Sequence, residues 1–168
     1  DAARYAVRQE RALLAGSAEL SLSWADGWAG IVLARSALLS IRVCDSWREE
    51  LHDDLVRGVD GIYRALAARD RCANDSLYDG RFGLIEALVA ASGGELPEFA
   101  ANVAHEIAGD VLRGVVRTGL PAGVWSPGLL QGAAGIGYGL LRMASPGHVP
   151  NILLPGWWLE PAAEPKHS

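Results

Sequence analysis

Cysteine is scarce: Cys44 and Cys72 are the two in 168 residues. Neither stands in a C-x-x-C or in a Cys/His cluster of structural-zinc spacing, so a disulfide framework is excluded and a reducing cytoplasm is the expected location. Basic charge is also short. Fifteen Lys and Arg against 20 Asp and Glu leave a net charge of −5. The basic residues are scattered, and nothing in them suits a nucleic-acid backbone. Long apolar runs are missing too: the stretches at 31–39 and 128–141 are too short or too rich in glycine to cross a bilayer. No basic segment followed by an apolar one opens the chain, so secretion is not expected. Strand-type alternation is absent. What remains is a chain of single-domain length, 50% hydrophobic and able to bury a core. It begins at Asp1 and enters a helical pattern at once, as a piece of a longer polypeptide would.

Glycine, by contrast, is plentiful and periodic. Asp26-Gly27-Trp28-Ala29-Gly30-Ile31, Asp79-Gly80-Arg81-Phe82-Gly83-Leu84 and Gln131-Gly132-Ala133-Ala134-Gly135-Ile136 share a G-x-x-G-[IL] core, and their first glycines are 53 and 52 residues apart. Two nearly equal intervals mark a structural repeat, which a single G-x-x-G would not. Each motif runs into a stretch apolar over most of its circumference, at 31–43, 84–91 and 136–143, as buried helices are. Between the motifs the pattern is amphipathic. From Asp53 to Arg69, Leu55, Val56, Val59, Ile62, Tyr63 and Leu66 share one face, with Asp53, Arg57, Asp60 and Arg64 opposite. From Pro97 to Arg117, Phe99, Val103, Ile107, Val111 and Val115 do the same, and Pro97 suits a first helical turn. Residues 2–15 read as a third such helix.

The unit is therefore an outer amphipathic helix, a loop and an inner buried helix entered through G-x-x-G. An all-α array of helical hairpins follows, curving toward an α,α-toroid if the inner helices face one centre. The glycines are expected to allow positive φ and a close backbone approach at each sharp entry. Asp26 and Asp79 then sit where an N-cap would.

These residues resemble a known family. Trp24-Ala25-Asp26-Gly27-Trp28-Ala29-Gly30-Ile31-Val32-Leu33-Ala34-Arg35 is similar to the W-C-x-G-x-x-G-I-x-L-x-R segment of lanthionine cyclases, and Ser76-Leu77-Tyr78-Asp79-Gly80-Arg81-Phe82-Gly83 to their S-L-C-H-G-x-x-G. Residues 126–142 resemble the last glycine motif of the cyclase domain in class II lanthipeptide synthetases. Ser145-Pro146 and Val149-Pro150-Asn151-Ile152-Leu153-Leu154 look like that domain's closing segment. The resemblance implies that residues 1–159 form the C-terminal portion of a toroid of about seven hairpins, with 160–168 as a disordered tail. It also implies thioether ring closure between a cysteine and a dehydroamino acid of a ribosomal precursor peptide. The remainder of a larger synthetase, or a partner subunit, would join this chain; no nucleic acid and no membrane would.

In that family a zinc ion bound by two cysteines and a histidine holds the thiol as thiolate. Here those positions read Ala25, Tyr78 and Asp79. Alanine offers no donor and one aspartate falls short of three protein ligands, so no metal and no other cofactor is expected. The arginine of the pattern upstream of the first segment is also missing, near Ser21. Cys44, at the end of an inner helix, and Cys72, in a loop, do not substitute by position. His105 reads as a solvated residue of an outer helix, and His52, His148 and His167 carry no signal.

Three functions fit. The first is a degenerate or zinc-independent cyclase domain, with Asp79 and Tyr78 as candidate catalytic residues and Trp24, Asp26, Trp28 and Arg81 as candidate substrate-binding residues; a non-catalytic peptide-binding or scaffold domain is its alternative. The second is a toroidal glycoside hydrolase using Asp26 and Asp79. The third is an interaction module, in which Trp157 and Trp158 either anchor a partner or pack back on the core, and open unit faces favour dimerisation or attachment to the rest of a longer polypeptide.

Overall fold

The computed structural model describes residues 2–15, 21–41, 44–68, 72–121 and 124–154. Trp157, Trp158, His167 and the tail lie outside the described residues. Within them are six helices and no strand: α1 (Ala2–Ala15), α2 (Trp28–Ser40), α3 (Asp45–Ala67), α4 (Arg81–Ala91), α5 (Glu98–Leu112) and α6 (Ala133–Ala144). Outer and inner helices alternate as the repeat predicts, and the fold is all-α.

The inner helices carry the core. α4 packs on α2, α3 and α5, and residues 82–89 along it are all buried. Phe82 is fully buried against Gly139 of α6, where a Cβ would overlap the ring. α2 packs on α3 and α4. There Trp28 lies across Gly58 and Gly61 of α3, its indole nitrogen 3.1 Å from where a Cβ of Gly61 would be. Small residues on one helix thus make room for a large ring on the next, which brings the axes close.

Two outer helices depart from the expected bounds. α3 begins at Asp45 rather than Asp53, because its added turns carry Glu50, which pairs with Arg4, Arg8 and Arg11 of α1. Asp54 in the same helix is buried between Arg11 at 2.8 Å and Arg35 at 3.1 Å, while Val56, expected on the apolar face, is 53% exposed. α5 ends at Leu112 rather than Arg117, since Gly114 takes φ +79 and Val115 N–H returns to the carbonyl of Asp110. That is a Schellman stop.

Candidate functional site

The three glycine segments fold alike, bond for bond. The first residue of each inner helix donates its N–H to the carbonyl seven residues back: Trp28 to Ser21 at 3.0 Å, Arg81 to Asn74 at 3.1 Å and Ala133 to Ser126 at 2.9 Å. The side chain of that upstream residue accepts from the backbone two residues on, Ser21 from Ser23, Asn74 from Ser76 and Ser126 from Gly128. Such turns reverse the chain just before the helix. Both glycines of each motif then press on this turn. A Cβ on Gly27, Gly80 or Gly132 would enter the backbone or side chain of the turn, and one on Gly30, Gly83 or Gly135 would enter the carbonyl of Trp24, Leu77 or Leu129.

Positive φ is not the reason for these glycines. Gly27, Gly80 and Gly132 have φ of −135, −107 and −111, and the described glycines with positive φ are Gly93, Gly94 and Gly114, beyond helix ends. Nor are the aspartates N-caps. Gly27 and Gly80 occupy the cap positions, without a side-chain cap bond. Asp26 instead accepts from Ser23 Oγ, and Asp79 Oδ1 accepts from Ser76 Oγ at 2.8 Å and Asn74 Nδ2 at 3.3 Å. Each serine also accepts the aspartate's own N–H, at 3.2 and 3.3 Å. Ser23, Ser76 and Asn74 were not among the expected site residues, although the repeated S-x-x-D of 23–26 and 76–79 was open to view.

The segments are also tied to one another. Trp24 N–H donates to the carbonyl of Tyr78 at 2.7 Å, and Leu77 and Tyr78 N–H both donate to that of Leu130 at 3.0 Å. The three inner-helix starts therefore stand side by side, with Ala25, Tyr78 and Asp79 around the first junction. Ala25 and Asp26 are exposed, and Trp24, Tyr78 and Asp79 are half-buried. Gly119 closes over Asp79: a Cβ there would lie 2.8 Å from Oδ1. Trp24 is fixed from outside its own segment, its indole N–H donating to the carbonyl of Leu153 at 3.2 Å.

Two expected substrate-binding residues point elsewhere. Trp28 is taken up in packing against α3. Arg81 turns toward α5, bonding buried Asp75 at 2.6 Å and lying 3.7 Å from Asp110, in a cleft of about 550 Å³ that Cys72 and His105 also line. Burial pushes the Cys72 thiol up, which disfavours its thiolate, and Sγ faces the carbonyl of Ala65. Cys44 is the exposed residue that opens α3, not the end of an inner helix.

Zinc does not fit this junction. Ala25 has no donor atom, and Asp79, whose Oδ1 accepts from Ser76 and Asn74, supplies one carboxylate where a zinc site needs three protein ligands. Among the described residues no group of three or more His, Cys, Asp or Glu could hold a metal ion. No described helix is long and apolar enough to cross a membrane.

A family model, lanthionine synthetase C-like protein, matches residues 5–154. Comparison with curated proteins and with solved structures finds no match to the chain.

Proposed function

The chain belongs to the lanthionine synthetase C-like family, and on that premise we propose that it is a cyclase-like domain of a lanthipeptide-modifying enzyme, one that holds a ribosomal precursor peptide over the Trp24–Tyr78 junction without activating a thiol through zinc. One observation carries the reading: the junction keeps three aligned inner-helix starts, while Ala25 and the serine-bonded Asp79 stand at two of the three ligand positions. The scaffold that would place a peptide is retained where the metal chemistry has no ligands. A location in the cytoplasm and attachment to further synthetase hairpins or a partner subunit belong to the same proposal.

A second reading is metal-free ring closure, favoured by the partial exposure of Tyr78 and Asp79. In it Asp79 accepts the thiol proton, the sulfur adds to the β-carbon of a dehydroalanine or dehydrobutyrine, and the α-carbon then takes up a proton. A carboxylate is a weak base for a thiol, and Oδ1 of Asp79 is already taken by Ser76 and Asn74, which leaves Oδ2 to serve. The glycosidase alternative has less support, since Asp26 and Asp79 are each engaged by a serine of their own turn.

The test combines three measurements on the chain. Binding of a peptide containing a cysteine and a dehydroalanine is followed by anisotropy, ring closure by loss of alkylatable thiol, and metal by elemental analysis beside the triple variant Ala25→Cys, Tyr78→Cys, Asp79→His. Peptide binding with the thiol retained, and zinc in the triple variant alone, is the expected result. Stoichiometric zinc in the unmutated chain, or no peptide binding, would overturn the proposal; thiol loss that Asp79→Asn abolishes would establish the second reading.

A further inference from the structure

The deepest charges of α4 and α6 lie inside the two inner helices, past their glycine-bearing starts. Glu86 is 1% and Arg142 6% exposed, and Arg142 Nε stands 3.3 Å from both carboxylate oxygens. A buried pair of this kind is a poor source of net stability, because desolvating both charges costs about as much as their attraction returns. What it does fix is geometry. Arg142 also reaches the chain that follows α6: Nη1 donates to the carbonyl of Pro146 and, at 2.7 Å, to that of Val149.

From there the chain doubles back. Tyr138, one turn before Arg142, donates its hydroxyl to the carbonyl of Pro150, so residues 145–150 run antiparallel to α6 toward its start. Asn151 Oδ1 then accepts the N–H of Leu153 at 2.9 Å, making a tight turn that sinks Leu153 to 4% exposure. The carbonyl of Leu153 receives the indole N–H of Trp24, and Trp24 in turn bonds Tyr78.

We infer that Arg142, braced by Glu86, is a positioning residue for the candidate site, acting through residues 145–154 to set Trp24 and with it the Trp24–Tyr78 junction. It touches no ligand. The buried carboxylate holds the guanidinium, the guanidinium holds two carbonyls of the returning segment, and the segment presents a third carbonyl to the indole. The inference rests on the proposed function only for what the junction binds.

The experiment reads the Trp24 indole N–H by NMR in the 15N-tryptophan-labelled chain, assigned with Trp24→Phe, together with hydrogen exchange of residues 145–154. In Arg142→Gln the Trp24 resonance is expected to move and exchange of 145–154 to rise several-fold to about tenfold, the effect of an ordinary lost hydrogen bond. The resonances of Trp28 and Trp47 should stay, and Arg142→Lys should recover part of the change. Tyr138→Phe, which removes one hydrogen bond and no charge, gives a smaller shift in the same direction and keeps the question measurable should Arg142→Gln fail to fold. A folded variant with an unmoved Trp24 resonance and unchanged exchange would overturn the inference. Adding the dehydroalanine peptide separates the two claims: absence of binding to the unmutated chain defeats the proposed function and leaves the Trp24 result to decide the positioning role.

Discussion

At the residue scale, glycines of one sequence motif have different energetic weights. Gly135 and Gly83 face the carbonyls of Leu129 and Leu77 with no room for a methyl group, whereas Gly137, two residues beyond Gly135 in the same helix, has nothing within 4 Å. Gly135→Ala is therefore expected to cost about 1–3 kcal/mol by forcing the turn away, and Gly137→Ala to gain up to about 1 kcal/mol from helix propensity. Urea unfolding of both variants checks the contrast, and equal effects would refute it. Glu86 makes a prediction of another kind. Burial pushes its carboxyl up from 4.5 to about 7, with Arg142 opposing the shift. A carboxyl whose folded value lies above its unfolded one binds protons more tightly in the native state, so its contribution favours the fold as pH falls from about 7 toward 4.5 and is lost as pH rises through 7. Against Glu86→Gln, the unmutated chain should gain stability on going from about pH 8 to about pH 5.5. A parallel pH dependence in the two proteins would disprove it. The spacing of the glycines was legible because close approach admits no other residue; the charge on Glu86 was not, because burial is a property of its neighbours.

At the scale of elements, α1 shows how an exposed-looking helix is docked. Its Val7 is buried, and ion pairs dominate its described polar contacts: Arg4, Arg8 and Arg11 to Glu50, Arg11 to Asp54, and Glu10 to the fully buried Arg35 of α2, beside hydrogen bonds from Arg4 to Ser46 Oγ and from Arg11 to the carbonyl of Glu50. Asp54 is the shared acceptor between α1, α2 and α3. Removing it leaves the buried Arg35 guanidinium with Glu10 alone of its two described carboxylate partners, so the cost lies below the roughly 3–5 kcal/mol of a wholly uncompensated buried charge. Asp54→Ala should accordingly speed amide exchange in α1 well before α4 and α5 respond; uniform exchange across all helices would argue that α1 is held otherwise. The periodicity located every outer helix. It missed the first turns of α3 and the stop of α5, since the former rest on charge pairs with another helix and the latter on one glycine's backbone conformation.

For the whole molecule, α4 is the only described inner helix flanked by inner helices on both sides, and the difference shows on its neighbours. Ala34, Ala37 and Ile41 at one end of the array, and Ala134, Gly137, Leu141 and Ala144 at the other, are exposed apolar stripes at helical spacing, with Leu141 65% exposed. Open apolar helix faces associate. The chain is expected to self-associate at micromolar concentration, and Leu141→Glu to shift it toward monomer in light scattering; a monomer indifferent to Leu141→Glu would show that these faces do not pair. The sequence by itself determined the repeat, the all-α class and the pairing of outer with inner helices, because all of these are periodic or positional and so written along the chain. Only the tertiary structure decided that Trp28 packs on α3, that Arg81 turns to α5, that Asp79 bonds Ser76 and Asn74, and that the segment after α6 returns to Trp24. Those outcomes depend on which distant groups share a desolvated space, where each buried donor and acceptor must find a partner, and linear order does not record that.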